Sequence, residues 1–222
     1  MIEIDGKRIE VDIIHKDMLN MYLRIKEGRI VVTCPYLMPE YKVYQFINSR
    51  KDWIRNHLQR MERKKSYIYD GGDEFRLFGD NHPILFQSGN KSCNLINGKI
   101  IVSSRTDDRQ KLIPFIYQNL NGLLYQKGLF VMEKHLQMLR DYGYDQTLSI
   151  EIKKLKGKWG LCYTRENRIV LSSYLIHYPM IVLEAIVVHE LAHFIVNNHS
   201  KRFYAVVRNE LAEYDNAIKM LK

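Results

Sequence analysis

The stretch that most constrains this chain is His189-Glu190-Leu191-Ala192-His193, with His199 a short way beyond it. It closes the run Met180–Val188, which is apolar almost all round and predicts a buried helix. On a helix, residues i and i+4 lie one above the other, so His189 and His193 present two imidazoles on one face. Glu190 falls about 100° around from His189, near enough to reach the same site without being a ligand. Two imidazoles and a carboxylate on such a helix are costly to bury without partners, and a bound cation offsets that cost. The pattern predicts a zinc-hydrolase helix, with two ligands and a carboxylate to take a proton from water at the metal. The competing reading is a helix end with surface-facing histidines.

Spacing supports a third ligand. His199 lies six residues past His193, the interval found in metzincins, where a glycine helps the chain turn back. Val196 occupies that glycine position, so the chain is no metzincin. The turn is expected at Asn197-Asn198, residues that tolerate left-handed conformations. His15, His57, His82, His135 and His177 have no ligand spacing and are expected at the surface or as satisfied core residues. A nucleophilic Cys162 paired with a histidine is a weaker alternative, because nothing else supplies that arrangement.

With 222 residues, 46% of them hydrophobic and 27% charged, the chain can bury a full core as one large domain or two small ones. No apolar run reaches the roughly 20 residues needed to cross a bilayer, so no membrane association is expected. The start, Met1–Lys7, lacks the basic and apolar regions of a signal peptide. Cys34, Cys93 and Cys162 form no C-x-x-C pair, which fits a reducing, cytoplasmic setting and argues against a disulfide framework. The net charge of +9 admits nucleic acid or another anionic partner. Lysines and arginines cluster in Arg50–Lys65 and Lys153–Lys158, though such faces are most often simply solvated. Oligomeric state is not legible.

Along the chain, hairpins are expected around Asp5-Gly6, Glu27-Gly28, Gly79–His82 and Asn97-Gly98. A helix is expected from Pro39 to about Lys65, carrying Arg50, Lys51, Arg55, Arg60, Arg63, Lys64 and Lys65 on its polar face. A second helix should run from Asp107-Asp108 to about Tyr142, burying Ile113, Ile116, Leu120, Leu123, Leu124, Phe130, Val131, Leu136 and Leu139. Strands follow at Leu148–Lys153, Lys158–Tyr163 and Arg168–Ser172. Pro179 opens the motif helix, and Ser200 caps a last helix to about Leu221.

These segments together resemble the YgjP-like metallopeptidase domain family, related to the SprT-like and WLM zincins. The likeness rests on the early hairpin, Lys-Asp-Trp-Ile-Arg at Lys51–Arg55, Gly72–Gly79, the Trp-Gly-x-Cys strand at Trp159–Cys162, and above all His189–Phe203. It implies an α+β fold with a zincin-like catalytic core, His189, His193 and His199 as metal ligands and Glu190 as the base. It further implies a β-rich N-terminal part with one helix, read here as residues 1–104, ahead of a metallopeptidase core at 105–222. One residue departs from the pattern: Leu161 stands where the family usually has serine.

The expected activity is therefore a zinc-dependent hydrolysis of amide bonds in a peptide or protein, with one Zn2+ per chain. Zincins commonly lay an extended substrate along an edge strand, and Arg168–Ser172 is the candidate, an interior strand being the alternative. Tyr204 or Arg202 could stabilise an oxyanion, although packing or solvent exposure suits each as well. The second class of function is a non-catalytic, metal-stabilised module that binds nucleic acid or protein through its basic surface. Glu190 favours catalysis, since a structural metal needs no base beside its ligands.

Overall fold

The computed structural model describes residues 1–26 and 28–221, with the side chains of residues 63–66 excluded. The chain divides into two compact units, Met1–Lys65 and Ser66–Lys222.

In the first unit, β1 (Ile2–Ile4) and β2 (Lys7–Ile9) pair across Asp5-Gly6 as expected. Strands β3 (Val11–Lys16), β4 (Tyr22–Lys26) and β5 (Arg29–Pro35) form a sheet in the order β3-β5-β4. Alternation along β5 turns Ile30, Val32 and Cys34 inward, as a half-buried strand requires. They join Val43 and Ile47 of α1 (Glu40–Asn48) and Ile54 of α2 (Lys51–Tyr67) in one buried cluster. The single helix expected over 39–65 is thus two. The Ser49 hydroxyl donates to the Phe46 carbonyl at 2.8 Å, a local bond that competes with the helical ladder where the two helices part. The turn residue Glu27 and the side chains of Arg63, Lys64 and Lys65, named above for a hairpin and a basic face, lie outside the described residues and side chains. Arg55 of that face is engaged by Asp5 and Asp52 at 2.9 and 2.5 Å.

The second unit holds the metal motif. Its first sheet contains β6 (Glu74–Leu77), β7 (Asp80–Ser88), β8 (Ser92–Ile96) and β9 (Lys99–Ser104), in the order β6-β7-β9-β8. The hairpins β6–β7 and β8–β9 match expectation, while β7 and β9 pair in parallel. The long helix α3 (Arg109–Lys134) begins at Asp108, whose carboxylate accepts from the Gln110 and Lys111 N–H groups, an N-cap. A break at His135 separates it from α4 (Leu136–Arg140). His135 lies 2.5 Å from Glu210 Oε1 through Nδ1 and 2.8 Å from Glu184 Oε1 through Nε2, so the break ties α3 to later helices. Of the α3 residues expected in the core, Ile116, Leu120, Leu124 and Val131 are buried, while Leu123 is 37% and Phe130 66% exposed; Leu112, Gly128 and Met132 complete the buried stripe.

Next come β10 (Ser149–Lys153), β11 (Gly160–Tyr163) and β12 (Arg168–Ser172), in the order β10-β12-β11. Strand β12 is therefore interior, parallel to β10 and antiparallel to β11. Arg168–Ser172 cannot accept an added strand; β11 is the edge beside the metal motif. Helix α3 lies close on this sheet at Gly128, where a Cβ would stand 3.2 Å from Leu171 and 3.5 Å from Ile150.

Helix α5 (Met180–Ala192) packs against β11 and β12, and is followed by α6 (Lys201–Glu210) and α7 (Tyr214–Lys219). The last two replace the single helix expected from Ser200 to Leu221, and the Ser200 side chain makes no capping bond. The whole is an α+β fold.

The anticipated boundary at 104/105 is not where the chain divides. Phe75, Leu77, Ile84 and Ile100 belong to the same buried cluster as Ile116, Ile169, Leu171 and Val187. The sheet of residues 74–104 thus completes the core under the metal motif. Among the described residues no helix is long and apolar enough to cross a membrane.

Candidate metal centre

Helix α5 ends at Ala192, and His193 is its C-terminal cap residue. Leu183, Val187, Val188 and Leu191 are fully buried, which fixes the helix's rotation and turns His189 and His193 to the same side. The chain then reverses through turns at residues 193–195 and a bend at Asn197-Asn198. Neither asparagine has a positive φ, so the reversal does not use the left-handed conformation expected of them. It brings His199 back over the helix end.

The ligand-capable nitrogens of His189, His193 and His199 lie within 4.8 Å of one another. The Nε2 atoms of His189 and His199 are 2.9 Å apart. Two nitrogens bound tetrahedrally at about 2.0–2.1 Å from one ion would stand about 3.3 Å apart, so the cluster is dimensioned for a metal. Proton placement agrees. His193 Nδ1 faces the Val196 carbonyl at 3.3 Å; a carbonyl only accepts, so the proton sits on Nδ1 and the Nε2 lone pair is free. His189 Nδ1 is 2.7 Å from the buried Tyr214 hydroxyl, which fixes that ring from its far side. Burial and the neighbouring imidazoles lower the His189 pKa to about 3, and burial also lowers that of His193. Both rings are therefore neutral near pH 7, the form that binds a metal. Phe203 of α6 supports all three rings, with centroid separations of 4.9, 4.7 and 4.8 Å from His189, His193 and His199.

Glu190 is 5% exposed and packs beneath β11 at Gly160. A Cβ on Gly160 would stand 2.4 Å from Glu190 Oε1 and 2.7 Å from its Cγ, so only glycine leaves the carboxylate its place. Burial pushes the Glu190 carboxyl up to about 8, against the opposing charge of Lys158. A cation in the histidine cluster would favour the ionised form further.

The cluster opens into a cavity of 570 Å³ lined by Lys158, Gly160, Leu161, Cys162, Thr164, His189, Glu190, His193, Asn197 and His199. Leu161 places an apolar side chain in this wall. Cys162 is also here, but burial and the Glu190 charge raise its thiol to about 12, so it is no thiolate nucleophile at neutral pH. Neither Tyr204 nor Arg202 lines the cavity; the Arg208 guanidinium lies 5.3 Å from the Tyr204 ring centroid. The other histidines stand apart: His177 is buried between the Arg76 carbonyl and the Tyr117 hydroxyl, and His135 between two glutamates.

Sequence spacing found His189, Glu190, His193 and His199, and the fold brings them together. It missed Tyr214, Phe203, Gly160 and Lys158. Tyr214 and Phe203 fall in the segment expected as the last helix, and nothing local marks them as facing the histidines. Gly160 was visible inside the Trp-Gly-x-Cys strand, where an isolated strand glycine signals a close approach.

The family model described as YgjP-like, metallopeptidase domain, matches residues 19–222. Two solved structures are similar over part of the chain. The metallopeptidase zymogen abylysin of Pyrococcus abyssi is 21% identical, covering 42% of this chain and 87% of that one, with a TM-score of 0.36. The metallopeptidase zymogen jannalysin of Methanocaldococcus jannaschii is 24% identical, covering 41% and 93%, with a TM-score of 0.33. No curated protein matches.

Proposed function

The chain belongs to the YgjP-like metallopeptidase domain family, and from that premise we propose that it is a zinc-dependent peptidase. His189, His193 and His199 would hold one Zn2+, and Glu190 would be the general base. The observation that carries this reading is the convergence of three imidazoles beside one buried carboxylate at the wall of an open cavity. Three nitrogen ligands with room for a fourth, non-protein ligand are the donor set of catalytic rather than structural zinc. When bound, the ion supplies a Lewis acid for the scissile carbonyl and brings the pKa of water into the neutral range.

The remaining chemistry falls to the chain. Tyr214 and the Val196 carbonyl hold the His189 and His193 rings by Nδ1. Glu190 accepts a proton from the attacking water and delivers it to the leaving amine, a two-way role that suits a carboxyl tuned near neutrality. Gly160 keeps that carboxylate in line. Strand β11 is at the edge of its sheet and lines the cavity through Gly160, Leu161 and Cys162, where an extended peptide can add as a further strand. A non-catalytic module would have no use for the buried, upshifted Glu190.

The test is peptide cleavage by zinc-loaded protein beside its Glu190→Gln variant. Cleavage by the parent, reduced about 10²–10⁴-fold in the variant with zinc retained, supports the reading. Equal cleavage by both, or none by either across a diverse peptide library, contradicts it.

A further inference from the structure

The loop that joins β10 to β11 carries Lys154, Lys156 and Lys158, all exposed. It starts at one edge of the sheet and returns at the other, passing the end of β12, where the Ser172 N–H donates to the Trp159 carbonyl at 2.8 Å. Lys158 lines the cavity that holds Glu190 and the histidines, and among the described residues is the only lysine or arginine that does. At the other end of the loop, Lys154 lines a separate cavity of 770 Å³ with Tyr69, Tyr117, Asn121, Ser173 and Tyr174, and its ammonium lies 5.8 Å from the centroid of the Tyr174 ring. Two of the acid groups near the loop are engaged elsewhere, while Glu190 shares the cavity with Lys158 without a salt bridge to it. Glu151 binds Lys153 at 2.8 Å and Arg168 at 2.6 Å. Asp70, on the wall of the second cavity, accepts from the Gly72 N–H. Among the described residues, Lys154, Lys156 and Lys158 enter no salt bridge.

We propose that this lysine loop selects substrates, favouring a peptide with a run of acidic side chains beside the scissile bond. Lys154 and Lys158 flank strands two places apart, roughly 10 Å at about 4.8 Å per strand spacing, so the loop spreads its charge across the end of the sheet. A peptide suits the loop better than a nucleic acid because the edge strand β11, which the loop enters, offers backbone groups that pair with another peptide backbone. The inference rests on the peptidase reading and names its substrate class.

The test separates binding from turnover. Zinc-loaded full-length Glu190→Gln protein is titrated, by fluorescence anisotropy, with peptides of one length carrying four glutamates, four glutamines or four lysines. The glutamate peptide should bind about tenfold tighter than the glutamine peptide at low ionic strength, the order expected from three exposed charge contacts, and the advantage should shrink as salt rises. Adding Lys154→Glu, Lys156→Glu and Lys158→Glu should reverse the order in favour of the lysine peptide; if that variant unfolds, Lys156→Glu alone should still reduce the advantage. An unchanged order after charge reversal, no peptide binding at all, or a single-stranded oligonucleotide of equal charge that binds more tightly than the glutamate peptide overturns the proposal. Binding as stated without cleavage by the parent sinks the peptidase reading and leaves the charge preference standing. Cleavage that ignores peptide charge sinks the preference alone.

Discussion

The Gly160→Ala substitution isolates the part of the site that the metal motif does not reveal. The added Cβ would meet Glu190 Oε1 at 2.4 Å and Cδ at 2.8 Å, where ordinary contact begins at 3.4 Å. Relief therefore requires the carboxylate to withdraw by about 1 Å, the difference between 3.4 and 2.4 Å. Glu190 is 5% exposed, so its free direction is into the cavity it lines with the three histidines. Gly160 does not have a positive φ, so alanine is not penalised by the backbone and the contact alone determines the outcome. A displacement of about 1 Å at a catalytic group costs about 100-fold in rate, and overpacking of this kind costs about 1–3 kcal/mol in stability. Turnover of a peptide that the parent cleaves should thus fall about 100-fold. Zinc per chain should stay at the parental level, because the atoms nearest the added Cβ all belong to Glu190, which is not a ligand in this account. Parental turnover in Gly160→Ala would refute the argument that glycine keeps Glu190 in place; loss of zinc along with activity would show that the defect lies in the ligand cluster instead.

Three further outcomes follow from the same structure. Removing the hydroxyl that holds His189, in Tyr214→Phe, should weaken zinc binding about 10-fold or more in competition with a chelating dye; unchanged affinity would contradict the orienting role. His177 is fully buried and neutral, its pKa lowered to about 4 chiefly by burial. The unfolded chain, with an imidazole pKa of about 6.5, therefore takes up a proton that the folded chain refuses. Folding stability should fall as pH drops from about 6.5 to about 4, by about 3 kcal/mol from this group, and denaturant midpoints of His177→Gln should show a shallower slope over that range; equal slopes would count against it. Phe203→Ala leaves a cavity beneath all three imidazoles, and should lower stability by about 3–5 kcal/mol together with zinc affinity. A thermal melt showing parental stability would refute that packing.

The site was far more legible in the sequence than the architecture. Helical spacing alone places His189 and His193 on one face, and six more residues suffice to return His199, because these relations are local. Gly160 meeting Glu190 and Tyr214 meeting His189 depend on separate elements packing together, and no local pattern records that. The same limit explains the misplaced boundary. The strands of residues 74–104 read as an extension of the preceding hairpins, yet Phe75, Ile84 and Ile100 are buried with Ile169 and Leu171. Turn signals located the hairpins, but the parallel pairings β3–β5 and β7–β9 require crossovers that turn chemistry does not specify. Strand β12 was ambiguous for a related reason: its burial on both faces suits an interior strand, while its sequence length and composition would suit either place.

The most direct test of the central claim is zinc content per chain, measured by elemental analysis on the purified protein and on His193→Ala. The account predicts close to one zinc per chain in the parent, as a single tetrahedral site requires, and almost none in the variant. No transition metal in either protein, even after zinc is added and the excess removed, would contradict it.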